Sequence, residues 1–171
     1  MITLTLAFWI LVALNGVIGA MRGWAKEVLV TFSVLVALFI MNVLGSISAF
    51  KSIFGSPLGS GGFWGPALVL IILVIFGYQT PFLVRFASGK VVRERFTDGL
   101  LGFFIGLING YLIWGCLWFF MESAKYPFAP GITAPNPVPI IVNYLPPVYL
   151  TGTVLYVAVG LAFIFVLLVF I

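Results

Sequence analysis

The chain alternates between long uncharged apolar runs and short polar breaks. Residues 2–21 carry no Asp, Glu, Lys or Arg, and the first charge is Arg22. Residues 28–50 form a second uncharged run, closed by Lys51. After the Gly/Ser-rich turn from Gly55 to Gly62, a third apolar run covers 64–84, a fourth 99–121 and a fifth 151–171. A hydrocarbon core of roughly 30 Å needs about 20 helical residues to cross it. Each run has that length, so the pattern predicts about five membrane-spanning helices. Trp64 suits an interfacial position and Pro66 the first turn of its helix. Pro81 is expected to kink the third span. Thr97 and Asp98 stand where a short polar side chain caps the free amides of the fourth. A secretory signal would place positive charge before its apolar run. Here the charge follows, so the first helix is expected to be retained.

Composition agrees with the lipid bilayer as solvent. Hydrophobic residues make up 63% of the 171 and charged ones 7%, whereas soluble domains carry about 25% charged residues. A chain so poor in charge cannot cover a water-facing surface. The fold class expected is therefore all-α: a polytopic membrane bundle forming one transmembrane domain. The net charge of +4 would suggest nucleic acid in a soluble protein. Here the basic residues lie between apolar runs, with no basic face to track phosphates, and no nucleic-acid partner is expected.

The basic residues instead orient the chain. Arg22 and Lys26 follow the first span, and Arg85, Lys90, Arg93 and Arg95 lie in the polar loop 85–98. Only Lys51 and Lys125 fall on the opposite side. The positive-inside rule places the six in the cytoplasm, the N-terminus outside and the C-terminus inside. The connection 122–150 is then external. It holds seven of the ten prolines, and no charge from Tyr126 to Leu150. Disordered linkers are polar and poor in large apolar residues. This one carries Phe128, Ile132, Ile140, Ile141, Leu145 and Leu150, so it is expected to lie at the membrane surface or against a partner. The fifth span ends without a polar anchor, which suggests a natural tail beyond Ile171.

Candidate chemistry is sparse. There is no histidine, and Cys116 is the one cysteine, which removes the commonest general base and metal ligand and any intrachain disulfide. No catalytic residue, metal site or cofactor is assigned. The many Phe and Trp side chains read as lipid-facing bulk and interfacial belts. Gly16, Gly19 and Gly23 make a tight turn with Arg22, Lys26 and Glu27. The turn reads either as orienting anchors, with Glu27 favoured by the helix dipole, or as a charged cytoplasmic cluster of Arg22, Lys26, Glu27, Arg93 and Asp98. In the second reading Arg22 pairs with Asp98 or Glu27. Gly102, Gly106 and Gly110 recur at four-residue spacing and allow close approach of another helix. Whether that helix belongs to the same chain stays open. Asn42, Gln79 and Asn109 serve either as interhelical hydrogen-bonding groups or as the lining of a polar path. The absence of mid-span charge argues against a proton-driven pump.

Two segments carry a family resemblance. The first is Gly19-Ala-Met-Arg22-Gly23-Trp-Ala-Lys26-Glu27. The second is Asp98-Gly-Leu-Leu-Gly102-Phe-Phe-Ile-Gly106-Leu-Ile-Asn109-Gly110. Their order and separation resemble the colicin V production protein (CvpA) family over spans one to four. Two features differ: Thr3 and Thr5 occupy a region where the family often has an acidic residue, and Asn109 stands where it usually has a basic one. The resemblance implies a multipass bacterial inner-membrane protein linked to bacteriocin production or export and to envelope homeostasis. Two other functions suit the same residues: an accessory subunit of a larger membrane complex, or a small oligomeric transporter or channel. The partners expected are lipid and further copies or other membrane-protein subunits.

Overall fold

The computed structural model of the chain describes residues 3–54, 62–79, 95–127, 132, 135 and 139–170. The fold is an all-α bundle: α1 (Leu4–Arg22), α2 (Trp24–Ser46), a short α3 (Lys51–Phe54), α4 (Trp64–Gln79), α5 (Arg95–Ser123), a 3-10 turn (Ile140–Tyr144), a short α6 (Pro146–Tyr149) and α7 (Gly152–Phe170). The helices Leu4–Arg22, Trp24–Ser46 and Phe96–Ser123 are long and apolar enough to cross a membrane. Trp64–Gln79 and Gly152–Leu168 are shorter apolar stretches.

Several helix limits differ from those expected. The second run was bounded by charge at residue 28, yet α2 begins at Trp24 and takes Lys26 and Glu27 into the helix. Backbone geometry sets this limit: Gly23 adopts φ +84°, a conformation open to glycine, and serves both α1 and α2 as their shared cap. At its other end α2 stops at Ser46, because Ile47 turns extended. Polar loop 85–98 is shortened too, since α5 starts at Arg95. Thr97 and Asp98 are therefore residues of its first turn and do not cap it from outside. Glu122 and Ser123, assigned to the outer loop, end α5. The expected Pro81 kink, Arg85, Lys90 and Arg93 lie outside the described residues.

Contacts fix the helix directions. Phe8 of α1 lies against Trp118, and Gly19 against Gly102, so α1 and α5 are antiparallel. Gly77 of α4 meets Leu29 and Ser33, while Tyr78 meets Arg22. Tyr156 and Phe163 of α7 meet Asn42 and Phe32. Both α4 and α7 thus run against α2. One end of the bundle gathers the end of α1, the start of α2, the end of α4 and the start of α5.

The core lies between α2, α4 and α5, around Val34, Met41, Leu70, Cys116 and Phe120. A second cluster joins Phe8 and Val12 to Trp118, Tyr126 and Leu145. The outward faces are equally apolar, with Trp9, Phe76, Phe104 and Phe163 exposed. Large exposed apolar patches mark contact with lipid or protein. Tyr126, Leu145, Pro146 and Pro147 of the connection between α5 and α7 are buried. Where it is described, this connection packs on the chain's own helices, while Ile140 and Tyr144 stay exposed.

Candidate functional site

The α1–α2 turn builds the one buried ion pair seen among the described residues. Arg22 closes α1, where a cation complements the helix dipole. Glu27 lies in the first turn of α2 and is fully buried. The Gly23 turn brings them together, with Arg22 Nη1 at 2.9 Å from Glu27 Oε1. The other carboxylate oxygen accepts from Asn109 Nδ2 at 2.8 Å. The same amide nitrogen donates to the Glu27 carbonyl at 2.8 Å. Thr31 Oγ1 donates to Asn109 Oδ1 at 2.6 Å. This amide orientation is the one that gives every donor an acceptor.

The second arm of Arg22 reaches α4. Its Nη2 donates to the Tyr78 carbonyl at 3.0 Å, satisfying a backbone group near the end of the described helix. The guanidinium also lies 4.2 Å from the Tyr78 ring centroid, within cation–π range. Tyr78 donates its hydroxyl hydrogen to Asn15 Oδ1 at 3.2 Å, and Asn15 Nδ2 donates to the Leu11 carbonyl at 2.9 Å. One chain of polar contacts therefore ties α1, α2, α4 and α5 together.

The glycines let the helices come this close. A Cβ on Gly19 would run into the Gly102 carbonyl and lie 2.8 Å from the Gly106 Cα. One on Gly110 would meet Val12 and Asn15, and one on Gly16 would meet Leu107. The partner helix left open by the glycine spacing is thus α1 of the same chain. Gly23 faces Asp98, whose Oδ2 lies 2.6 Å from the position of an added Cβ.

Of the proposed charged cluster, Arg22, Glu27 and Asp98 share one end of the bundle, and Lys26 is half-buried on the same turn of α2. Arg22 pairs with Glu27. Asp98 packs against the turn with its Oδ1 buried and unpartnered. Arg93 lies outside the described residues. The three residues of the suggested polar path do not meet. Asn109 is buried against Glu27. Asn42, fifteen residues further along α2, lies about 22 Å away at 1.5 Å per residue and accepts from Tyr156. Gln79 is exposed at the end of α4. Sequence reasoning passed over Asn15, Thr31 and Tyr78. Asn15 and Thr31 were findable, since Asn15 precedes Gly19 by one turn and Thr31 follows Glu27 by one. Tyr78 gives no such sign.

Among the described residues, no group of three His, Cys, Asp or Glu side chains could hold a metal ion. Both Glu27 oxygens are engaged, so the arrangement acts as a crosslink between helices. The fold and this junction define an all-α bundle whose apolar helices are locked at one end by a buried ion pair. No protein-family model matches the chain, and no curated protein or solved structure matches it either.

Proposed function

We propose that the chain is a multipass inner-membrane protein of the colicin V production type, assisting export or envelope maintenance through protein contacts without catalysing a reaction. One observation carries this reading. The two segments that bear the family resemblance, 19–27 and 98–110, pack on each other as one unit. Gly19 lies on Gly102 and Gly106, and Glu27 is bonded to Asn109. In this reading the bundle crosses the membrane five times, with the charged junction at the cytoplasmic end and the N-terminus outside.

A role as accessory subunit of a larger complex has its own support. Among the described side chains of α7, Leu155 alone is buried, and Tyr156, Phe163, Ile164 and Leu168 face outward. The oligomeric-transporter reading has less to rest on, because Asn42, Gln79 and Asn109 stand apart. Gentle solubilisation followed by mass determination and identification of co-purifying chains separates the three. Export or envelope proteins held in stoichiometric amounts are expected for the first, and a fixed larger assembly for the second. A particle containing this chain alone that conducts ions in vesicles would overturn the contact role and favour the third.

A further inference from the structure

Residues 139–150 of the connection between α5 and α7 do not sit on top of the bundle. Pro146 of α6 fills the space beside Gly115, its Cδ 2.6 Å from where a Cβ would stand. Tyr111 donates its hydroxyl hydrogen to the Tyr144 carbonyl. Gly115 precedes the end of α5 by eight residues, which is about 12 Å of helix. With 29 residues, α5 is about 43 Å long, the thickness of a bilayer with its headgroups. A point about 12 Å inside its end falls about 5 Å below the edge of a hydrocarbon core roughly 30 Å thick.

We propose that residues 139–150 form a re-entrant wedge seated in the outer boundary of the bilayer, with lipid covering its outer face. The proposal rests on the reading of the chain as a multipass membrane protein. Three features favour lipid as the occupant. First, backbone polar groups in hydrocarbon must be satisfied within the protein, and much of this segment meets that demand. Pro139, Pro146 and Pro147 have no N–H to leave unpaired. Bonds run from Val142 N to Pro139 O at 3.1 Å, Val148 N to Leu145 O at 2.9 Å and Leu150 N to Pro146 O at 2.8 Å. The Tyr111 hydroxyl serves the Tyr144 carbonyl. Second, the inner face is already filled: Leu145 is fully buried, with both following prolines. Third, the outer face carries Ile140 at 76% exposure and Tyr144 at 65%, with Val148 and Tyr149 beside them. The whole stretch from Tyr126 to Leu150 holds no charge. Tyrosine suits this depth because its ring is apolar and its hydroxyl reaches the headgroups. Asn143, the exposed amide, is expected on the headgroup side.

The test uses nitroxide labels at Ile140→Cys and Tyr144→Cys in a Cys116→Ala background, reconstituted in phosphatidylethanolamine–phosphatidylglycerol vesicles. Collisions with oxygen, which partitions into lipid, are compared with those of a water-soluble nickel chelate. Ile72→Cys on the outward face of α4 is the lipid control, and Lys125→Cys the aqueous one. At 140 and 144, chelate collisions should fall below the Lys125 value by the factor seen at Ile72, with oxygen collisions high. Chelate access at the Lys125 level, with Ile72 still protected, would overturn the wedge and leave the membrane reading standing. Chelate access at Ile72 itself would overturn the membrane reading. Exclusion of both reagents at 140 and 144 would show protein covering this face, and lipid would be the wrong occupant.

Discussion

Glu27 is a carboxylate with no solvent exposure, and Arg22 and Asn109 make its burial tolerable. Removing one partner of a buried ion pair leaves an uncompensated charge and costs about 3–5 kcal/mol. Arg22→Ala and Glu27→Ala should each fall near that range in denaturant titrations of the detergent-solubilised protein. The double variant should cost far less than the sum, because no lone charge remains. Additive single effects would show the pair to be an incidental contact. Asp98 gives the contrasting expectation. Its Oδ1 has no partner, and its favourable term is a place in the first turn of α5, worth about 0.3–1 kcal/mol. Asp98→Ala should therefore cost under about 1 kcal/mol and add simply to Arg22→Ala. A loss as large as that of Arg22→Ala would reveal a strong partner for Asp98. The sequence offered both carboxylates to Arg22 on equal terms. The choice between them depends on the direction the Gly23 turn gives the two helices, which no local pattern encodes.

At the scale of helices, two glycine environments predict opposite outcomes. Gly19 of α1 meets the backbone of α5 at Gly102 and Gly106. Backbone cannot swing aside as a side chain can, so Gly19→Ala should force the helices apart. A loss of about 1–3 kcal/mol is expected, the usual range for overpacking. Gly160 of α7 has nothing within 4 Å of an added Cβ. There Ala should stabilise by about 0.5–1 kcal/mol, since glycine inside a helix is the costlier residue. Unfolding midpoints of both variants in one detergent read the two effects side by side. A destabilising Gly160→Ala would mean that another helix packs on α7 in the solubilised particle. The glycine spacing marked α5 correctly as a close-packing helix. It could not identify α1 as the neighbour, because a small-residue face suits any helix of compatible shape.

Across the whole molecule, the alternation of helix directions gathers Arg22, Lys26, Glu27 and Asp98 at one end of the bundle, the arrangement that the proposed five crossings call for. Impermeant thiol labelling at Ser60→Cys and Ser88→Cys, in a Cys116→Ala background, checks the orientation; both positions lie outside the described residues. Label is expected at position 60 in intact cells, and at 88 only after permeabilisation. Labelling at 88 from outside would invert the topology. The sequence alone determined the helical class and marked the apolar runs, three of which form helices long and apolar enough to cross a membrane. Those properties are sums over local residues: transfer to lipid depends on composition, and span length on a fixed rise per residue. Tertiary structure alone decided where helices begin and end, since α2 reaches back to Gly23 through a positive φ that hydropathy does not register. It also decided that Glu27 takes Arg22 and Asn109 as partners, and that Leu145 and Pro146 of the proline-rich connection lie beside Gly115. Glu27 and Asn109 lie 82 positions apart. Such pairings depend on how whole helices pack, and packing is a property of surfaces that exist only once the chain has folded.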